Sequence, residues 1–404
     1  MNPTSQNNEI QRALLKLEEW VIRSDWKAYD TFDGLSSPLV PFFTWNIPLL
    51  KIFWQQGVRR FPLNLRPLLG IKPGMSSKAM GFFAQGYLRL YQKHGNQRFL
   101  ERAKFCLQWL MDNPSPGFKG YSWGNHFDYQ HRAGSIPKGL PTIVWTGLIG
   151  HAFVDAYELL GEKRYLEVAQ RVCDFVVHEI GHSVFEDAIY LHYYPGATHR
   201  VHNSNMIGAS ILARVHQHVP DQINLQMAKR AVRFTMQCQL PNGSWYYGVG
   251  PKFKWVDSFH TGYVLEALDI FNRCAGDHEY AGNLERGYRF YVETFFEADG
   301  TPRYYDSKRS PLDIQCASQG IQTLLNLRRL HSTSEAMAGK VAHWTIENMQ
   351  DRAGFFYYRK YPLITNKTPT MHWGQATMFA ALALFDQLSK TPSMQEPALA
   401  IPVA

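Results

Sequence analysis

The chain has little cysteine: Cys106, Cys173, Cys238, Cys274 and Cys316 are the only five in 404 residues. The count is odd, the spacings are wide and no C-x-x-C pair occurs. That argues against a disulfide framework and against a zinc site. In helical patterns such thiols act as small buried apolar groups, and a reducing compartment is expected. No run of about 18 apolar residues exists, so no transmembrane segment is expected. The start MNPTSQNNEIQRALLKLEEW lacks the basic and apolar regions of a signal peptide, which makes the expected location cytoplasmic. No block of basic residues accompanies the net charge of +8. The scattered cations argue against nucleic acid as a partner and leave an anionic substrate or a loose membrane-surface association open.

Aromatic residues are plentiful, at 14% of the chain with 11 Trp and 21 Tyr. They fill cores, and they also make stacking platforms for sugars. One apolar stretch, SSPLVPFFTWNIPLLKIFW, is broken by prolines. It reads as a packed loop, with interfacial membrane contact as the alternative.

A repeated unit organises the rest. It consists of a polar loop, a helix with an early glycine, a short turn and a second amphipathic helix. The early glycines are Gly81, Gly147, Gly208, Gly262, Gly320 and Gly374. Each interval has room for two ordinary helices with their connections. Short turns make the paired helices antiparallel. The last unit, MHWGQATMFAALALFDQL, has one helix only, and the chain starts with an unpaired helix near residues 8–24. Pairing first with last closes a ring. The expected fold is all-α: an (α/α)6 toroid of six helical hairpins over residues 1–390, with short β-hairpin loops on one face. A disordered tail is expected over 391–404. A glycine inside a helix costs about 1 kcal/mol relative to alanine, so its repetition points to close packing around the central axis.

In such a ring the long loops all emerge on one face, where the inner helices begin. These loops are rich in aromatics: GFKGYSWGNHFDYQHR, HSVFEDAIYLHYYPGATHR, NGSWYYGVGPKFKWVD, DGTPRYYDSKRSPLD and AGFFYYRKYPLITNKTPT. They are expected to form a funnel. The inner-helix starts point polar residues into it: Asp257 and His260; His202, Asn203 and Asn205; Asp313, Gln315 and Gln319; His372 and Trp373. Plain helix capping is the alternative for Asp257, Asn203 and Asp313. Packing is the alternative for His260, Trp245 and Tyr246. Capping needs one side chain per helix, however, and these starts carry two or three. His126, Asp128 and Arg132 sit in one loop whose spacing fits no common metal site. Glu186 and Asp187 are adjacent carboxylates in the next loop. Asp30 and Asp33 enter the funnel from the first connection, with an ordinary turn as the alternative.

The plan of six hairpins with aromatic loops and polar helix starts resembles the six-hairpin glycosidase-like superfamily. More narrowly, YDTFDGLSSP, HNSN, NGSWYYG and WVDSFHTGYVLEAL look like the VpsJ-type bacterial polysaccharide-biosynthesis proteins. KPGMSSKAMGFFAQG and PTIVWTG are similar to the helical domain of glucuronyl C5-epimerases, whose β-rich N-terminal region has no counterpart here. These resemblances imply a carbohydrate context and supply no catalytic residues.

The expected function is a carbohydrate-active enzyme of bacterial polysaccharide metabolism or biosynthesis, a glycoside hydrolase first, with two alternatives. A glycoside hydrolase would use a pair of carboxylates, Asp257 with Asp128 or Asp313, and would stack sugars on Trp245, Tyr246 and Trp373. A uronate lyase or C5-epimerase would move protons with His260 and His202, and would hold the carboxylate with Asn203, Asn205, Gln315 and Arg132. A non-catalytic glycan-binding protein needs only the aromatic platforms. None calls for a cofactor or a metal. The remaining substrate-binding candidates are Gln319, His372, Trp373, His126, Asp30 and Asp33. The expected partner is an oligosaccharide or polysaccharide, anionic under the second reading.

Overall fold

The computed structural model describes residues 3–131 and 134–389. Arg132 and the tail expected over 391–404 lie outside the described residues. Among the described residues there are fourteen α-helices. α1 (Pro3–Arg23) is followed by two extra helices, α2 (Val40–Thr44) and α3 (Pro48–Arg60). Five hairpins come next: α4 (Ser77–His94) with α5 (Gln97–Asp112), α6 (Ile143–Leu160) with α7 (Lys163–Asp174), α8 (His202–His218) with α9 (Gln222–Met236), α10 (Ser258–Ala275) with α11 (Ala281–Phe295), and α12 (Ile314–Asn326) with α13 (Ser334–Met349). α14 (Thr377–Leu388) ends the described chain and pairs with α1.

Each inner helix packs on the next, from α4 through α6, α8, α10 and α12 to α14, and α14 packs back on α4. The ring is therefore closed, as the repeat implies. The inner helices are buried almost throughout, whereas the outer ones bury a single face. The glycine rhythm has a direct steric cause. A Cβ on Gly147 would lie 2.5 Å from Ile207 Cγ2 on α8, and one on Gly262 would lie 2.7 Å from Thr323 Oγ1 on α12. Neighbouring inner helices meet where those side chains are missing.

The long loops lie on the face where the inner helices begin. They carry the antiparallel hairpins β1 (Tyr129–His131) with β2 (Gly134–Ile136) and β3 (His182–Phe185) with β4 (Ala188–Leu191). A three-stranded patch joins β5 (Leu312–Asp313), β6 (Arg359–Lys360) and β7 (Thr365–Asn366). All five cysteines are free, and Cys106, Cys173 and Cys316 are buried. No helix among the described residues is long and apolar enough to cross a membrane.

The apolar stretch after Ser36 departs from the packed loop expected of it. It folds into α2 and α3, and much of its apolar surface faces outward, with Phe42 and Trp45 each 74% exposed. The prolines do not break these helices. Pro41 and Pro48 stand in their first turns, where a missing N–H costs nothing.

Candidate functional site

The inner-helix starts and the long loops enclose a cavity of about 520 Å³. Its wall is made of rings: Trp145, Tyr193, Tyr247, Trp255, Phe259 and Trp373 among them. Tyr247 and Trp255 stack at 4.5 Å, and Phe259 meets Trp373 edge-on at 5.3 Å. Among the described residues four cations line it, Arg59, Arg60, Lys78 and Lys252, while no Asp or Glu does.

The carboxylates stand one layer behind. Asp257 caps α10: its Oδ1 accepts from the His260 N–H at 3.0 Å. Its Oδ2 accepts from Trp255 Nε1 at 2.9 Å and lies 2.7 Å from His260 Nδ1. Asp257 is 2% exposed, and His260 is the member of the pair that reaches the cavity. With Nδ1 occupied by the carboxylate, Nε2 is the ring nitrogen left to act.

A second pair repeats the design. His372 lies in Met371–Ala376, wound as a π-helix ahead of α14, a distortion that recurs at functional sites. Its Nδ1 contacts Asp30 Oδ1, and its backbone N–H donates to the same oxygen at 3.3 Å. Burial works to raise the Asp30 carboxyl, but the charges of His372 and His126 outweigh it and hold the group below the usual carboxylate range. His126 Nδ1 stands 3.7 Å from the other Asp30 oxygen, outside the cavity wall. Asp33 supports Asp30 from behind, accepting the Asp30 N–H at 2.8 Å and pairing with Arg66 at 2.6 Å.

Asp313 does for Trp373 what Asp257 does for His260. It accepts from Trp373 Nε1 at 2.8 Å and from the Gln315 N–H at 2.8 Å, and it pairs with Arg359. In all three cases a carboxylate caps a helix start or buttresses it, and fixes a ring that faces the cavity.

Lys78, in the first turn of α4, is buried and has no hydrogen-bond partner among the described residues. Burial lowers its pKa to about 8, against the opposing pull of Asp30. Its ammonium lies 5.8 Å from the centre of the Tyr263 ring, which floors the cavity. Arg59 enters from α3, donates to the Tyr358 hydroxyl at 2.7 Å and lies 4.3 Å over the Phe32 ring.

The other sequence candidates lie as follows. Asn203 lines the cavity, with its Oδ1 unpartnered among the described residues. His202 is buried beside it, outside the wall, and burial lowers its pKa to about 4. Asn205 is spent on structure, accepting from the Leu191 N–H and donating to the Ala231 carbonyl. Gln315 donates to the Tyr263 hydroxyl at 3.2 Å. Asp128 is exposed, outside the wall, and accepts from the Lys138 N–H at 2.7 Å. Trp245 turns away from the cavity and donates to the Thr235 carbonyl at the end of α9, while Tyr246 is partly exposed outside the wall. Glu186 and Asp187 form the exposed tip of the β3–β4 hairpin, and Asp187 pairs with Arg233. Lys78 and Arg59 were not foreseen, nor was Tyr247 as the inward member of its aromatic run.

A second cavity, of about 550 Å³, opens between the C-terminal halves of the inner helices. Gln319 belongs to it, donating to Glu266 at 2.6 Å. Burial raises the Glu266 pKa to about 7. Four of its five arginines are paired: Arg214 with Asp155 and Glu158, Arg273 and Arg329 with Asp269, and Arg328 with Glu335, while Arg89 donates to the Ala380 carbonyl at 3.0 Å. Among the described residues no group of three or more His, Cys, Asp or Glu side chains converges as a metal site.

No family model matches the chain, and no curated protein does. Solved structures match its fold. The cellobiose 2-epimerase of Bacillus thermoamylovorans superposes with a TM-score of 0.61 at 10% identity, over 78% of this chain and 87% of that one. An unsaturated glucuronyl hydrolase specific for heparin reaches 0.60 at 12% identity, over 95% and 97%. The GH76 α-mannanase of Bacteroides thetaiotaomicron reaches 0.57 at 12%, over 77% and 85%. The chain thus has the six-hairpin glycosidase fold, the (α/α)6 toroid.

Proposed function

We propose that this chain is a carbohydrate-active enzyme that moves protons at the carbon beside a sugar carboxylate, as a uronate epimerase does. The observation that carries this reading is the cavity wall: two Asp-backed histidines, four cations and a set of rings, with no carboxylate facing the substrate space. Hydrolysis by paired carboxylates needs one group at the glycosidic oxygen and the other across the anomeric carbon, both facing the substrate. Here Asp257 and Asp313 spend their oxygens on His260, Trp255, Trp373 and Arg359.

The chemistry follows from that wall. Lys78 and Arg59 bind the uronate carboxylate and lower the cost of the negative charge that develops when C5 loses its proton. His260 Nε2 takes that proton, breaking the C5–H bond, and its imidazolium is steadied by Asp257. His372 gives a proton back to C5 from the other side, which inverts the centre, and Asp30 steadies the ring. No net oxidation or hydrolysis occurs. Trp145, Tyr247 and Trp373 hold the sugar by stacking. The fold is shared with structures described as an epimerase and as a glucuronyl hydrolase, which agrees with a sugar substrate.

The test is turnover of a panel of uronic-acid glycans in deuterium oxide. Deuterium at C5 without new reducing ends is the expected result, and His260→Ala lowers it by about a thousandfold. New reducing ends without exchange would establish hydrolysis instead. An ultraviolet-absorbing unsaturated product would establish elimination, and binding without turnover would establish a lectin-like role.

A further inference from the structure

The surface formed by α2, α3 and the segment leading to α4 carries an apolar load that neither the fold nor the cavity uses. Phe42 (74% exposed), Trp45 (74%), Leu49 (59%), Phe53 (65%), Leu63 (68%) and Leu68 (81%) all face outward within 27 consecutive positions. Elsewhere among the described residues exposed large apolar side chains are sparse, apart from the Leu363–Ile364 tip. Soluble surfaces rarely gather so many without a partner.

The charge on this stretch has one sign. Between Asp33 and Glu101 the sequence holds no Asp or Glu. Arg66 is neutralised by Asp33, and Arg59 lines the cavity, but Lys51, Arg60 and Lys72 remain without an acidic neighbour on the stretch. Aromatic and aliphatic side chains mixed with Lys and Arg, free of acids, are the composition of a helix lying in the headgroup region of an anionic bilayer. A second copy of this chain would bring the same cations face to face. The 13 residues of α3 extend only about 20 Å, too short to cross a bilayer, so such a helix lies in the interfacial plane.

The patch is rigidly built into the mouth of the cavity. Trp45 stands at the α2–α3 turn with a left-handed backbone (φ 43°), its ring exposed. Trp54 anchors the inner side, stacking on Phe43 and donating to the Gly34 carbonyl at 2.9 Å. Gln55 exchanges hydrogen bonds with the Gln130 backbone at 3.2 Å, joining α3 to β1. Beside the exposed Leu49 and Phe53, Ile52, Gln56, Arg59 and Arg60 line the cavity, while Gln55 and Val58 are buried on the far side of the helix. The same helix thus forms part of the cavity rim and carries the outward patch.

We propose that α2 and α3 dock this protein on an anionic lipid bilayer, with the mouth of the cavity beside the headgroups. The proposal is independent of the chemistry assigned to the cavity, and its readout is binding.

The test uses the full chain sedimented with vesicles of phosphatidylcholine alone or mixed with phosphatidylglycerol. Binding to the anionic vesicles is expected to exceed binding to the neutral ones by about tenfold or more, and to weaken with salt. The variant F42S/W45S/F53S, altered only at exposed positions, is expected to lose about tenfold of that binding while its thermal melt stays put. K51E/K72E is expected to lose the preference for anionic vesicles and keep residual binding to neutral ones. Absence of sedimentation with either vesicle overturns the proposal, as does unchanged binding of both variants. A dimer in light scattering that F42S/W45S/F53S turns into monomer also overturns it and assigns the patch to a second copy.

Discussion

The two ends of the ring hold cavities of nearly equal size, about 520 and 550 Å³, built from the same inner helices and divided at Tyr263. They handle charge in opposite ways. At the N-terminal end cations face open space without carboxylates in the wall, and Lys78 is buried beside rings with no salt bridge among the described residues. At the C-terminal end Arg214, Arg273 and Arg329 each meet an acid. Unpaired buried charge costs stability, while paired charge holds helices in register. One end is arranged to receive an anion, and the other already contains its own.

The comparison can be broken from either side. The largest effect is expected at the layer behind the rings. Asp257→Asn keeps the helix cap, because Asn caps as well as Asp, but it loses the carboxylate on His260. We expect kcat to fall about 100-fold with KM little changed. Wild-type kcat would return Asp257 to plain capping.

Lys78→Met comes next, with KM for an anionic glycan rising by about 30-fold. Because burial lowers the Lys78 pKa to about 8, wild-type KM should rise above that pH as the ammonium deprotonates, and the variant should lack this limb. The stability sign is opposite to that of a paired lysine. The cost of burying the ammonium is fully present below pH 8 and is relieved as pH rises toward the unfolded value. The variant should therefore be more stable to chemical denaturation at neutral pH, by about 2 kcal/mol. A variant that is less stable and binds normally would refute the assignment.

The smallest kinetic effect belongs to the other cavity. Arg214→Met leaves Asp155 with Gln85 and Glu158 with His218 and should cost about 1–2 kcal/mol in chemical denaturation, with kcat/KM of the folded protein unchanged. A large change in KM would mean that both ends bind substrate.

The ring was readable in the sequence because its cause is local. Five of the six early glycines mark contacts between inner helices, Gly320 meeting Phe296 at the end of α11 instead, and the amphipathic period marks each outer helix. The site was readable in outline. His260, Asn203, His372 and Trp373 line the cavity from the helix starts that the repeat singles out. The sequence could not reveal the order of the layers. A capping aspartate turns its carboxylate toward backbone N–H groups, so the ring beside it takes the front position. Gln319 lies six residues beyond Asp313, about 9 Å along the axis, and so falls past the Tyr263 floor into the second cavity. Which ring of a run faces inward, Tyr247 rather than Trp245, depends on Thr235, a residue of another helix. Lys78 sits in the first turn of α4, where a search of every helix start for polar groups would have found it.

The closure of the ring has a consequence for how the protein is made. Among the described helices α1 leaves the ribosome first, yet its partner α14 emerges last. Gln11 and Asp386, joined at 2.7 Å, are 375 residues apart. At about 5–20 residues per second the apolar face of α1 waits some tens of seconds for its cover. The five sequential hairpins can assemble one after another in that interval, each against its predecessor. The final step is then a long-range closure, which fixes the circle only once synthesis of α14 is complete.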